Sequence, residues 1–327
     1  MKKIACVGYH ATGSGVIDDL LREYDNVAQG QYEVESRVLQ DPDGISDLEY
    51  YLVENPHRLN SEYAIKRFLQ YVDKTNSSYV KIFGKNWKEI SKEYAQSLIA
   101  FEYPGYWHGD QWLLNPFWNY IHKFRRGIAK VMPKKYRKPA YYNYFPWLTT
   151  YHINLSKEEF IAKTQQYINQ LCKEVNPEDK EYVVLDQVFP PNNLARYVKY
   201  VDSIKTIIVD RDPRDLYIYC MLVKSHVMQK DPHQFCIAYK DNRKDIGSIG
   251  SEDCLHMTFE ELIFHYEDSV KKVEQFLGID PKHHVSPMSR FNPQISIKNT
   301  KLWEKHTEYS EAVSIIEKEL PEYLHKY

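Results

Sequence analysis

The chain has 327 residues, 43% of them hydrophobic and 27% charged, with a formal net charge of −2. That length suits one large α/β domain with insertions or two smaller ones, and the charge balance gives no global reason to expect nucleic acid. The five cysteines (Cys6, Cys172, Cys220, Cys236, Cys254) form no CxxC pair, so neither a zinc site nor a disulfide framework is indicated.

The chain opens on Lys3-Ile4-Ala5-Cys6-Val7-Gly8-Tyr9-His10-Ala11-Thr12-Gly13-Ser14-Gly15. Ile4 to Val7 reads as a buried strand, with Cys6 as a small core hydrophobe, and it empties into a loop carrying Gly8, Gly13 and Gly15. Val16, Ile17, Leu20 and Leu21 then recur at helical spacing. The apolar run after Met1-Lys2-Lys3 is too short for a signal peptide, and no later stretch is long enough to span a bilayer, so the expected location is cytoplasmic. Tyr32 to Val38 reads as a second strand, with Glu33 and Glu35 on one face. Asp41-Pro42-Asp43-Gly44 is a turn. Ile45 to about Ala100 is helical, interrupted near Asn55-Pro56 and around Ser77–Lys85, and Pro104-Gly105 breaks the chain.

Ser156 and Glu159 form a capping box before a helix ending near Val175. Tyr182–Asp186 is a strand, and Pro190-Pro191-Asn192 turns into a helix. Ile204–Asp210, rich in β-branched residues, is the clearest strand, and Asp212-Pro213-Arg214-Asp215 starts a helix with proline in its first turn. Leu255–Phe259 is a further strand. Glu260–Leu277 is an amphipathic helix stopped by Gly278, and the tail from Leu302 is helical. Apolar strands alternating with helices predict an α/β fold with a central, mostly parallel sheet covered on both faces.

Strand, glycine loop and helix wrap backbone N–H groups around a phosphate, although an ordinary tight turn has the same outline. Gly8 and Gly13 have Walker A spacing, but Ser14 and Gly15 follow where that motif needs Lys and Ser or Thr. At the second strand end, Asp210-Arg211-Asp212-Pro213-Arg214-Asp215 puts Arg211 where ligands bind in such sheets, placed to fork onto a phosphate. A structural arginine paired with Asp210 or Asp215 is the competing reading, above all for Arg214.

Strand-Arg-x-Pro-Arg-Asp-helix resembles the 3′-phosphate motif of sulfotransferases that use 3′-phosphoadenosine 5′-phosphosulfate (PAPS), and the first loop is similar to their 5′-phosphosulfate loop. Phe259-Glu260-Glu261-Leu262, Tyr266-Glu267-Asp268 and Phe276-Leu277-Gly278-Ile279 look like that family's strand-helix end. Phe291-Asn292-Pro293 and Ser296–Thr300 fall at its late basic cofactor loop. The likeness is of motifs, in order from residue 4 to about 303, and leaves most of the middle unmatched. It implies a three-layer P-loop-type fold, a single domain over 1–327 with a helical insertion at about 103–151, and sulfuryl transfer from PAPS to a hydroxyl or amine of a carbohydrate, glycolipid or other small acceptor, with PAP as product and no metal.

The same likeness assigns the cofactor to His10, Ala11, Thr12, Gly13, Ser14 and Gly15, to Arg211 and Tyr219, and to Lys298, Asn299 and Thr300. Two positions depart from it. Ala11 stands where the family usually has lysine or arginine, so His10 or Lys298 would supply that charge. Tyr219 stands where the family has a phosphate-binding serine, and a packed helix-face tyrosine suits it better. Candidates for the general base are Glu35 and Asp186, against a solvated strand face and a capping or turn role respectively. His108 is a third candidate, with His152 and His256 behind it. The competing functions are a P-loop small-molecule kinase, which the missing lysine argues against, and an inactive nucleotide-binding protein of the same fold, which the two departures favour. If one doubly phosphorylated adenosine is the ligand, the glycine turn and the Arg211 corner must open into one cleft.

From Gln111 to Tyr151 there is no acidic residue. Lys123, Arg125, Arg126, Lys130, Lys134, Lys135, Arg137 and Lys138 alternate with Phe117, Trp118, Tyr120, Ile121, Phe124, Ile128 and Val131, before Tyr141–Trp147. Residues 117–138 fit an anionic membrane surface, such as the inner face of a membrane, or an acidic glycan, and equally a solvated basic face.

Overall fold

The computed structural model describes residues 1–30, 34–105, 113, 116–137 and 148–327, apart from the side chains of Asn119 and His122. The fold is mixed α/β, with a five-stranded parallel sheet flanked by helices. Its strands are β1 (Lys2–Gly8), β2 (Val27–Gln29), β5 (Tyr182–Asp186), β6 (Ile204–Asp210) and β7 (Cys254–Thr258), in the order β2-β5-β1-β6-β7. A separate antiparallel pair is made by β3 (Phe101–Pro104) and β4 (Thr149–His152), with Phe101 opposite His152.

The central strands are apolar without alternation because both faces are covered. On one face Ile4, Cys6, Val184, Ile207, Val209 and Met257 pack with Ile17, Leu20 and Leu21 and with Val270, Val273 and Leu277. The side chains pointing the other way, Ala5, Val7, Val183, Leu185 and Ile208, are equally buried. A second cluster joins the helices Pro213–Leu222, Pro232–Asn242 and Ser310–Glu319 through Ile218, Phe235 and Ile316.

Contacts divide the chain into two compact units. The first, Met1–Gln40, Ser78–Lys85 and Ile168–Tyr327, holds the whole parallel sheet. The second, Asp41–Ser77 and Asn86–Tyr167, holds the β3–β4 pair and the helices Trp87–Ser97 and Pro116–Val131. Within it Tyr94 stacks on Tyr167 at 4.3 Å, and their hydroxyls bond Thr164 and Ser91, each at 2.8 Å.

Three expectations need correction. The second strand is Val27–Gln29, not Tyr32–Val38: Val34–Ser36 is irregular and Arg37–Leu39 is a single 3-10 turn, while Tyr32 and Glu33 lie outside the described residues. The chain leaves the sheet at Gly30, where a Cβ would stand 2.8 Å from Ile82 Cγ2. The helix expected over Glu260–Leu277 is two, Phe259–Phe264 and Tyr266–Leu277, parted at His265. The interruption placed around Ser77–Lys85 begins only at Gly84, a left-handed residue (φ 73°) that closes the helix Arg58–Phe83.

Candidate functional site

After β1 the chain turns toward the β2 side, and after β6 it turns toward β7, so a crevice opens between the carboxyl ends of β1 and β6. A cleft of about 390 Å³ lies there, a size that suits a small ligand. Four strand ends supply its wall: Gly8 from β1, Gln187 after β5, Arg211 after β6 and Phe259 after β7. His10, Ala11, Gly13, Ser14, Gly15, Glu35, Arg37, Tyr219 and Asn299 complete it.

The glycine loop is held from both sides. Thr12, buried, donates from Oγ1 to the Val209 carbonyl at 2.7 Å, which ties the loop to β6. Gln187 accepts from the Gly8 N–H at 3.4 Å and donates to Ser14 Oγ at 2.7 Å, tying it to β5. Ala11 (φ 59°) and Gly13 (φ 97°) take left-handed conformations to fit between these anchors. Among the described residues no acceptor takes the N–H groups of Gly13, Ser14 and Gly15.

Arg211 is the most unusual side chain in the cleft. Its residue is 4% exposed, and the guanidinium lies between the rings of Tyr219 and Phe259, 4.9 Å from each centroid. Among the described residues the guanidinium's hydrogen bonds go to backbone carbonyls only, Ala11 O at 3.4 Å and Asn299 O at 2.5 Å, and its Nε is buried with no acceptor. Burial pushes its pKa down, though an arginine stays charged.

The carboxylates that might have paired with it are taken. Arg243 holds Asp210 at 2.5 Å. Asp215 accepts from the N–H groups of Lys301 (2.9 Å) and Leu302 (2.6 Å) and from the Tyr327 hydroxyl at 3.0 Å. Glu260 accepts from the Asp212 N–H at 3.0 Å through Oε1, while its Oε2 is buried without a partner. Arg214, by contrast, pairs with Asp212 (2.8 Å) and Glu317 (2.9 Å) and lies on the Trp303 ring, a structural arginine. Among the described residues no carboxylate touches the Arg211 guanidinium, and the fields of Asp215 and Glu260 only partly offset its burial, an arrangement that an anion in the cleft would relieve.

Of the residues expected from sequence, His10, Ala11, Gly13, Ser14, Gly15, Glu35, Arg211, Tyr219 and Asn299 come together here. Glu35 meets Arg37 at 3.1 Å, and His10 Nε2 lies 3.3 Å from Ser225 Oγ. Tyr219 stacks on Arg211 instead of replacing a phosphate-binding serine. Thr12 and Thr300 are buried and act on the backbone, Thr300 through Ile297 O. Lys298 is exposed and does not line the cleft, because successive side chains of the Ile297–Asn299 3-10 turn point a third of a turn apart and Asn299 takes the inward position. His108 lies outside the described residues.

Asp186 also turns away. Side chains alternate along β5, so Gln187 reaches the cleft while Asp186 enters a separate cavity of about 20 Å³ beside Asp18, Arg22 and Ser36. Its Oδ1 is buried without a partner, and burial raises its pKa from 3.8 to about 7. An acid raised in the native state keeps a proton that the unfolded chain has released, so its contribution to stability falls as pH rises from about 4 to about 7, by up to ~1.4 kcal/mol per pH unit. Glu260, raised to about 7, and Asp19, raised to about 6, add slopes of the same sign. Asp186→Asn is expected to flatten the melting temperature against pH over that window and to melt higher than the parent at pH 8. Parallel curves for the two proteins would remove Asp186 from this account.

Sequence reasoning passed over Gln187 as a ligand-side residue, Arg37 and Phe259. Gln187 and Phe259 each stand directly after a strand of the parallel sheet, the signal that found Arg211. No protein-family model matches the chain, and no curated protein matches it. Among solved structures, the sulfotransferase STF9 from Mycobacterium avium is similar over 96% of this chain and 76% of that one, with 10% identity and a TM-score of 0.36. So low a score fixes neither the fold nor the chemistry of this chain, which rest on its own geometry.

Proposed function

We propose that the cleft takes PAPS and that the chain is a sulfotransferase acting on a hydroxyl or amine of a carbohydrate, glycolipid or other small acceptor. The observation that carries this reading is Arg211: a buried guanidinium with an orphaned Nε, in the same cleft as a glycine loop with unused N–H groups. Two anion-seeking ends in one crevice suit a nucleotide charged at both its 3′ and 5′ positions. The order of the sequence motifs supports the same assignment.

The residues present fit that cofactor. The N–H groups of Gly13, Ser14 and Gly15 would hold the phosphosulfate, and Arg211 the 3′-phosphate, which sets register. PAPS supplies an already activated sulfuryl group when bound. The chain then has to orient the acceptor, balance charge and remove one proton. Glu35, oriented by Arg37 at the cleft wall, accepts that proton at its carboxylate, and His10 offers a donor on the same wall.

The test is calorimetric titration with PAP and with ATP plus Mg²⁺, followed by transfer of labelled sulfate from PAPS to a panel of sugars and glycolipids. Saturable binding of PAP without ATP is the expected result. ATP binding without PAP would point to a small-molecule kinase, and binding of neither would leave a non-catalytic protein of this fold.

A further inference from the structure

The helix Pro116–Val131 presents an apolar stripe to solvent. Tyr120 (70% exposed), Phe124 (70%), Ile128 (45%) and Val131 (83%) recur at spacings of four, four and three residues, one above the next along one face. Ala129, 1% exposed, marks the side by which the helix packs. Lys123 and Lys130 flank the stripe, and the exposed Lys134, Lys135 and Arg137 follow it. The sequence holds no acidic residue from Gln111 to Tyr151 that would offset these charges.

We infer that this helix lies on an anionic lipid bilayer surface, its stripe in the boundary between headgroups and acyl chains and its lysines among the phosphates. A stripe of this kind calls for an apolar sink along its whole length of about 17 Å. The interface of a bilayer provides that sink, and anionic headgroups complement the flanking cations. An acidic glycan would satisfy the lysines and stack on Tyr120 and Phe124, but it offers nothing to Ile128 and Val131. A second copy of the chain would bring two basic flanks together. The helix does not cross the membrane, since no helix among the described residues is long and apolar enough to do so. This surface is independent of what the cleft binds.

The experiment is co-sedimentation of the full chain with vesicles of phosphatidylcholine alone and of equal parts phosphatidylcholine and phosphatidylglycerol, at low and high salt. The wild-type chain is expected to sediment with the anionic vesicles, not with the neutral ones, and to release as salt screens the charges. Phe124→Glu with Ile128→Glu, and separately Lys123→Glu with Lys130→Glu, should each weaken binding at least about tenfold while circular dichroism stays unchanged. All four residues are exposed, so the variants keep the fold. Absence of wild-type sedimentation overturns the proposal, as does equal binding by the Phe124/Ile128 variant. Retention on immobilised heparin without vesicle binding, or a dimer by light scattering that the Phe124/Ile128 variant abolishes, overturns it in favour of the glycan or the second copy.

Discussion

Arg211→Met is expected to weaken PAP binding roughly hundredfold or more while leaving the apo protein as stable as the parent or more so. Each hydrogen bond to a charged group contributes ~1.5–3 kcal/mol, and a guanidinium that forks onto a phosphate makes two, so a loss of about 3 kcal/mol is a conservative figure. The stability half of the prediction has the opposite sign from an ordinary core substitution. Among the described residues Arg211 is buried with no carboxylate in contact and an unsatisfied Nε, so the native state carries a desolvation cost that offsets its two bonds to the Ala11 and Asn299 carbonyls. Methionine keeps the length of the stem and fills the slot between the Tyr219 and Phe259 rings with a group that both accept.

The contrast is Arg214→Met, which leaves Asp212, a carboxylate with 0% side-chain exposure, without its cation and, among the described residues, with only the backbone N–H groups of position 214 and His325 as donors, and should lower stability by about 3 kcal/mol. Thermal melts with and without PAP read both halves: the parent should gain melting temperature with ligand, and Arg211→Met should not. A variant that titrates PAP like the parent removes the anchor. A variant that melts far below the parent makes Arg211 a structural residue, and the case for an anion goes with it.

The strands that carry the site were legible because burial on both faces writes them as unbroken apolar runs. Ile4–Val7, Tyr182–Leu185 and Ile207–Val209 all read this way. The edge strand Val27–Gln29 did not, being three residues long with no alternation to count. The β3–β4 pair was equally hidden, since neither four-residue strand announces a partner so far away in sequence. The rule that ligands gather at strand ends located the glycine loop and Arg211, and it held for Gln187 and Phe259, which carry no charge to draw attention. The choice of Asp186 over Gln187 shows what one residue costs at a strand end: the acid belongs to the opposite face, and the neutral neighbour braces the loop. Arg211's lack of a partner was not legible at all, because which carboxylate pairs with which arginine is decided by packing between β6, the helix Pro213–Leu222 and the 299–302 turn.

Gly13→Ala and Gly15→Ala, two identical changes two residues apart, are expected to fail in different ways. Gly13 sits at φ 97°, and a Cβ there would stand 2.6 Å from Phe259 Cδ2. A side chain in that conformation costs ~1–2 kcal/mol, and overpacking against a buried ring adds ~1–3 kcal/mol, so stability should fall by about 2–5 kcal/mol. At Gly15 a Cβ meets nothing within 4 Å, and φ is not left-handed, so the fold should change by no more than ~0.5 kcal/mol. Yet Gly15 lines the cleft beside an unused N–H, where an added methyl would hold an anion off the backbone. PAP affinity should therefore drop about tenfold in Gly15→Ala, with an unchanged melt. Chemical denaturation and calorimetry of the pair separate the two roles. If Gly13→Ala were as stable as the parent, the loop could not pack as tightly on the Phe259 ring as that distance requires. Unaltered PAP binding by Gly15→Ala would show that the anion does not sit on this loop, whatever Arg211 holds.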